Sequence, residues 1–171
     1  MQQNLHLPDR LTWDDYFMSL ACLASMRSPD NETKHGCILV DSHNRIIGTG
    51  YNGFPRGEIN PYPTNRPDKY TFILHAEQNS ILNAIIPAQI SSSITAYVTG
   101  LPCPRCMIVL VQFGVKSVVY GKIQSSMVDE VASMQTHMIA SNHTVSIQEY
   151  QGSPSVSFEK TIDYLKLKEW I

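Results

Sequence analysis

Apolar side chains recur at helical spacing in the first part of the chain. The segment Leu11–Arg27 carries them every three or four positions, Thr12 can cap the helix, and Asp14 and Asp15 suit the positive end of its dipole. The pattern therefore predicts a helix with one buried stripe. The residues expected in that stripe are Tyr16, Leu20, Leu23 and Ala24.

Two short apolar runs follow this helix and predict strands. Gly36–Val40 and Arg45–Gly50 are separated by the turn-forming residues 41–44, which favours a hairpin. The next stretch, Tyr51–Tyr70, is rich in Gly and Pro and shows no periodicity. Because long irregular stretches inside a compact domain usually have a function, Tyr51–Tyr70 is expected to contribute to a site.

Helical and strand patterns alternate over the remainder of the chain. Strands that alternate with helices imply right-handed parallel crossovers, whereas the hairpin adds antiparallel pairing. The pattern predicts an α/β fold in which helices enclose a mixed five-stranded sheet, with residues 1–171 forming a single domain. The predicted helices are Leu74–Ile86, Cys103–Phe113, Met127–Ala140 and Ser157–Trp170, and the predicted strands are Ile94–Thr99, Lys116–Tyr120 and Thr144–Gln148.

Composition narrows the class of protein. The formal net charge is -2 and no run of Lys or Arg occurs, so a small-molecule substrate is favoured and nucleic acid is not expected as a partner. No segment reaches the roughly 20 apolar residues of a membrane span, and residues 1–6 lack the pattern of a signal peptide. The four cysteines are therefore expected to be reduced thiols in the cytoplasm.

Two short motifs, His75-Ala76-Glu77 and Pro102-Cys103-Pro104-Arg105-Cys106, carry the candidate chemistry, and each begins a predicted helix. Cys103 and Cys106 share one helical face, where the free N–H groups of the first turn favour the thiolate. With His75 as a nitrogen ligand, three protein ligands leave one tetrahedral position for water, which is typical of a catalytic zinc. Glu77 lies two residues beyond a ligand and is the predicted proton carrier. The pairing matches the known zinc-deaminase signature.

Beyond these motifs, residues 11–121 resemble the deoxycytidylate deaminase family of the cytidine deaminase superfamily. The resemblance implies a cytidine-deaminase-like three-layer α/β/α sandwich with Zn2+ bound by His75, Cys103 and Cys106. It also implies hydrolysis of dCMP to dUMP and ammonia, with Glu77 as the proton shuttle, Asn52 against the sugar and the Ala76 backbone against the pyrimidine. The similar segments are Trp13–Met18, Arg27-Ser28, Gly36–Val40, Gly50–Gly53 with Pro55 and Gly57, and Gln112–Lys116.

The same resemblance implies regulation within a homohexamer, with dCTP and Mg2+ as activator and dTTP as inhibitor. The candidate effector residues are Tyr51, Asn52, Gly53 and Gly57. A substrate phosphate also needs a cation or a helix N-terminus, and Arg27 and Lys34 are the candidates. Each assignment has an alternative: Asn52 and the glycines could stabilise turns, and both cations could be solvated surface charges.

The chain departs from the family pattern in two places. His35-Gly36-Cys37 stands where the family usually has Val-Gly-Ala, and Gly121–Ser125 replaces an Asp-Lys-Tyr-like segment near the substrate. The second departure leaves the identity of the substrate and the allosteric control open. The alternatives are a tRNA adenosine deaminase, another deaminase of free nucleosides or nucleobases, and a zinc-stabilised binding module without turnover.

Overall fold

The computed structural model describes residues 10–57, 61–85, 93–122 and 129–168. The predicted helix ends at Ile86 and Trp170, the predicted helix start at Met127 and residues 123–125 lie outside these ranges. The helices are α1 (Trp13–Ser25), a 3-10 helix (Asp68–Thr71), α2 (Ala76–Leu82), α3 (Pro104–Phe113), α4 (Glu130–Asn142) and α5 (Pro154–Leu167). The strands are β1 (Gly36–Val40), β2 (Ile46–Tyr51), β3 (Ile94–Val98), β4 (Val115–Tyr120) and β5 (Ser146–Glu149).

The five strands form one mixed sheet in the order β2-β1-β3-β4-β5. Strand β1 pairs antiparallel with both β2 and β3, while β3, β4 and β5 run parallel. The hairpin, the parallel crossovers and the five-stranded sheet predicted from the sequence are therefore confirmed.

Helices cover both faces of this sheet. Helices α1 and α5 pack against each other, with α1 on one face, whereas α2, α3 and α4 pack together on the opposite face. Successive strand residues alternate between the two cores, so that Leu39 contributes to the α2–α4 side and Ile38 to the α1 side. The three-layer α/β/α sandwich is thus confirmed. None of the helices in the described ranges is long and apolar enough to cross a membrane.

The buried stripe of α1 differs from the prediction. Phe17, Met18 and Ala21 are buried, whereas Tyr16 and Leu23 are 41% and 58% exposed. Leu20 and Ala24 are half-buried and pack against this core. The predicted stripe is therefore correct for these two residues only in part. The helix turns this face inward because Gly36 has no side chain and lets the backbone at Ala21 approach β1; an added Cβ would overlap the Ala21 carbonyl oxygen.

Helix α2 is shorter than predicted because the backbone at both of its ends pairs elsewhere. Leu74 exchanges hydrogen bonds with Gly53, with N···O distances of 2.8 and 3.0 Å, and is therefore not helical. At the other end the Ile85 N–H donates to the Ile47 carbonyl at 2.9 Å. Between these two hydrogen-bonded ends, α2 packs directly on β2, where a Cβ on Gly50 would overlap the carbonyl oxygen of Ala76.

Candidate active site

The two sequence motifs meet where α2 and α3 begin. His75 and Cys103 are the N-cap residues of these helices, and both have extended backbone angles that turn the chain into the helix. Pro104 occupies the first helical turn of α3, where its fixed φ suits the start of a helix. Cys106 is buried in that same turn. Ligands separated by about thirty residues of sequence thus face one another.

The donor atoms of these residues have the spacing of a tetrahedral zinc site. Nδ1 of His75 lies 3.3 Å from Sγ of Cys106 and 3.6 Å from Sγ of Cys103. Standard Zn–N and Zn–S bond lengths at a tetrahedral angle require an N···S separation of about 3.6 Å. Within the described ranges this is the one group of three or more such ligands whose atoms all lie within 4.8 Å. The soft thiolate and imidazole donors therefore fit Zn2+.

Hydrogen bonding shifts the pKa values of the two thiols in opposite directions. A bond from Cys106 lowers the pKa of Cys103 to about 4, against the effect of its burial, and His75 adds to the lowering. The same bond, together with burial and the nearby Glu77, raises the pKa of Cys106. A divalent cation that bound both sulfurs as thiolates would displace the proton of this hydrogen bond.

Glu77 is placed in the first turn of α2 and is 5% exposed. Burial raises the pKa of its carboxyl group, while the charge of His75 opposes this effect. The carboxyl also interacts with the Cys106 thiol, which places it beside the donor atoms. A raised pKa makes this carboxyl group a better proton acceptor and lets it return the proton in a later step.

A cavity lies between these helix starts and the irregular segments of the chain. We call its helical side the metal wall, which comprises His75, Ala76, Glu77 and Cys103. We call the opposite side the loop wall, which comprises Asp30, Thr33, His35, Asn52, Arg66, Lys69, Tyr70 and Ile73.

The centre of the loop wall is a buried ion pair. Lys69 is 1% exposed, and its Nζ lies 2.8 and 2.9 Å from the two carboxylate oxygens of Asp30 and 2.5 Å from Glu32. Burial alone would lower the pKa of Lys69, but hydrogen bonds to Asp30 and Glu32 outweigh it and raise that pKa. Burial would raise the pKa of Asp30, but bonds from Lys69 and from backbone amides lower it. Both groups are therefore charged, and they join the 3-10 helix to the loop after α1.

Asn52, predicted to contact the sugar, does line the cavity. Its Oδ1 accepts the His35 N–H at 2.7 Å, and its Nδ2 donates to the Thr33 carbonyl at 2.9 Å and to Asp30 at 3.4 Å. The amide thus holds the loop after α1 against the end of β2, which is a longer-range structural role than a local turn. The sugar contact and the role of the Ala76 backbone stay predictions.

The predicted phosphate-binding cations do not line this cavity. The Lys34 ammonium donates to the Ser28 carbonyl, and Arg27 is exposed. The cations of the cavity are Arg66 and Lys69, which sequence reasoning missed. A signal was present, since both lie in the irregular Tyr51–Tyr70 stretch that was expected to serve a site.

Arg66 is held by two neighbours of the buried ion pair. Its Nε lies 2.8 Å from Glu32 Oε2, and another guanidinium N–H donates to Thr33 Oγ1 at 2.7 Å. A guanidinium carries five N–H donors, and among the described residues Glu32 and Thr33 are the hydrogen-bonding partners of Arg66, so further donors can face a ligand.

The remaining effector candidates lie outside the cavity lining. The Tyr51 carbonyl accepts a bond from Asn79 at 2.8 Å, and Gly53 is paired with Leu74. Gly57 has a φ of +80°, which favours glycine and agrees with its interpretation as a turn residue. Gly53 does not share that left-handed conformation.

The fold and the donor set define an α/β zinc protein of the catalytic rather than the structural kind, because the described residues supply three protein ligands and leave one coordination position open. The family described as the cytidine and deoxycytidylate deaminase zinc-binding region matches residues 11–122, and the chain belongs to this family.

Individual relatives agree with this membership. A probable deoxycytidylate deaminase of Drosophila melanogaster is 38% identical over 64% of this chain and 59% of its own length. The human deoxycytidylate deaminase is 36% identical over 66% of each chain. The chain thus spans about three fifths to two thirds of the length of these relatives. A crystal structure of dCMP deaminase from cyanophage S-TIM5, in complex with dCMP and dUMP, is 25% identical with a TM-score of 0.62, covering 84% of this chain and 100% of that one.

Proposed function

We propose that the chain is a cytoplasmic hydrolase that converts dCMP and water into dUMP and ammonia. The observation that carries this proposal is that the buried Glu77 carboxyl shares one cavity with His75 and Cys103 and also interacts with the Cys106 thiol. The substrate is supported by the relatives, which are deoxycytidylate deaminases, and by the cyanophage enzyme in complex with dCMP and dUMP.

In this mechanism the protein positions the base and moves protons. His75, Cys103 and Cys106 would hold Zn2+, which lowers the pKa of a water molecule and so supplies a nucleophile at neutral pH. Glu77 accepts a proton from the attacking water and delivers it to the ring nitrogen; it then takes the proton of the hydroxyl group added at the ring carbon and passes it to the amine, which departs as ammonia while the carbonyl forms. The Ala76 backbone holds the pyrimidine and Asn52 faces the sugar.

For the substrate phosphate, Arg66 is better placed than Arg27 or Lys34. It lines the same cavity as Glu77, and its guanidinium matches the geometry of phosphate oxygens. Lys69 is already neutralised by two carboxylates and is less suited to a second anion. We therefore assign the monophosphate preference to Arg66.

Ultraviolet absorbance tests the proposal directly. The zinc-loaded protein is incubated with dCMP, dCTP, cytidine and guanine, and dCMP is expected to be converted fastest. Faster conversion of another compound would contradict the substrate assignment. A melting shift with tRNA but none with deoxynucleotides would indicate a tRNA adenosine deaminase, and bound zinc without any turnover would indicate a binding module.

We propose further that dCTP with Mg2+ activates the enzyme and that dTTP opposes it, within a homohexamer. The support is the similarity of the Tyr51–Gly57 loop to the effector loop of the family, together with exposed apolar residues such as Leu82, Met134 and Met138. Backbone N–H groups in such a loop can surround phosphates without a side-chain cation. We expect sigmoidal dCMP kinetics that dCTP shifts to lower KM. Hyperbolic kinetics indifferent to both nucleotides would contradict regulation, and sedimentation of a monomer would contradict the hexamer.

A further inference from the structure

His35 lines the cavity with one ring nitrogen tied and the other unused. Its Nδ1 lies 3.2 Å from Oγ1 of Thr99. Its Nε2 is the one buried side-chain nitrogen or oxygen in the described part of the chain that has no hydrogen-bond partner. Because buried polar atoms are nearly always paired, a solitary one in a cavity wall indicates a partner supplied by a ligand.

The hydrogen bonds around Thr99 assign the tautomer of this ring. Thr99 Oγ1 accepts the Gly36 N–H at 3.1 Å, so its own hydroxyl hydrogen needs an acceptor. His35 Nδ1 is the acceptor within reach among the described residues. Nδ1 is therefore unprotonated, and the proton of the neutral ring is on Nε2, which makes Nε2 a donor.

His35 does not belong to the metal-binding group. Its ring nitrogens are outside the set of donor atoms formed by His75, Cys103 and Cys106. Burial lowers the pKa of His35, while the nearby Asp30 carboxylate opposes this effect. The ring therefore presents a neutral N–H to the cavity rather than a cation, which suits an uncharged oxygen better than a phosphate.

On the basis of the proposed function, we propose that His35 determines specificity by donating a hydrogen bond from Nε2 to an uncharged oxygen of the bound nucleotide. Two such oxygens fit this chemistry, the 2-carbonyl of the pyrimidine and the 3′-hydroxyl of the sugar. The backbone N–H of His35 is bonded to Asn52, and Arg66 offers charged donors in the same wall. His35 thus recognises the nucleoside part of the substrate, while Arg66 binds the phosphate.

The test compares His35→Phe, which keeps a ring without donors, with His35→Gln, which keeps an N–H. Loss of one hydrogen bond to an uncharged oxygen is expected to raise KM for dCMP about 3- to 10-fold in His35→Phe, with little change in kcat. His35→Gln is expected to recover most of this loss. The exposed turn residue His43 provides the matched control, since His43→Phe should leave KM unchanged. Zinc content and melting temperature are measured for every variant.

The analogue 2′,3′-dideoxycytidine monophosphate distinguishes the two oxygens. If the effect of His35→Phe disappears with this analogue, the acceptor is the 3′-hydroxyl; if the effect persists, the acceptor is the 2-carbonyl. An unchanged KM in His35→Phe, or an equal defect in His35→Gln, would overturn the role of His35. Failure of the wild-type protein to convert dCMP would overturn the proposed function itself, so the two failures are distinguishable.

Discussion

The metal wall and the loop wall of the cavity are built in different ways. On the metal wall, two regular helices begin at N-cap residues that are themselves ligands, so backbone geometry places the donor atoms. On the loop wall, a buried lysine and two carboxylates join segments that have little regular structure. The metal wall thus positions its donor atoms through regular backbone structure, whereas the loop wall is positioned through side-chain ion pairs.

The largest expected effect comes from removing a donor atom of the metal wall. Cys106→Ala leaves two protein ligands, so we expect zinc to fall from about one equivalent per chain to a small fraction and activity to fall to background. Metal analysis of the purified variant measures this loss. Zinc retained in full by a Cys103→Ala, Cys106→Ala double variant would contradict the ligand assignment.

The next largest effect comes from a variant that removes proton transfer and keeps metal binding. Glu77→Gln keeps the shape of the side chain but cannot exchange a proton, so kcat is expected to fall at least about 100- to 10,000-fold. Zinc content and circular dichroism should be unchanged, and Glu159→Gln on the exposed face of α5 is the control for charge. A near-normal kcat in Glu77→Gln would rule out the shuttle.

On the loop wall, Lys69→Met removes the cation between two carboxylates. Removal of one partner leaves Asp30 buried without its counter-ion, which should lower the free energy of unfolding by about 3 kcal/mol. Denaturant unfolding measures the change, and the exposed Lys166→Met serves as control. If Lys69→Met loses no more stability than Lys166→Met, the ion pair does not hold this wall.

The same pair has a defined dependence on pH. The pKa of Asp30 is lowered in the fold, so its contribution is complete above about pH 3.9 and is lost as the pH falls through the folded value. The pKa of Lys69 is raised, so its contribution is complete below about pH 10.4 and is lost as the pH rises through the folded value. The difference in melting temperature between wild type and Lys69→Met should therefore be constant from about pH 5 to 9. A steady decline inside that window would contradict this origin.

The smallest of these effects concerns the phosphate. Arg66→Gln should raise KM for dCMP about tenfold, because a charge-assisted hydrogen bond is lost. Turnover of cytidine, which has no phosphate, should change little. Lys34→Gln is the matched comparison. If Lys34→Gln raised KM more than Arg66→Gln, the phosphate-binding residue would be Lys34, as predicted from the sequence, and not Arg66.

The sequence predicted that His75, Cys103 and Cys106 lie together, because each motif has its own local signature. The cysteines are three residues apart and each motif begins a helix, so spacing indicated the donor atoms, whereas the sheet brings the two helix starts together. The five-stranded sheet followed from hydrophobic periodicity in the same way. The buried face of α1 did not, because periodicity allows two neighbouring stripes and the glycine at position 36 selects between them.

The loop wall was largely hidden from the sequence because its contacts are long-range. Lys69 and Asp30 are 39 residues apart, and a lysine in a Pro-rich segment is ordinarily expected at the surface. Arg27 and Lys34 were chosen for their nearness in sequence to the hairpin, but their placement depends on how the loop after α1 turns. That loop packs against the 3-10 helix, which no periodic pattern in the sequence predicted.

Gly50 has a consequence for how this metal centre can vary. Because α2 lies against the bare backbone of β2 at that point, the height of the helix above the sheet depends on the missing side chain. His75 begins α2, while both cysteines belong to the start of α3, so any change in this height moves one ligand relative to the other two. A methyl group at position 50 would meet the backbone of Ala76 and Ser80 and so displace the start of α2 without any change to a ligand. The relative placement of the three ligands in this chain therefore depends on a strand residue that lies outside the donor set.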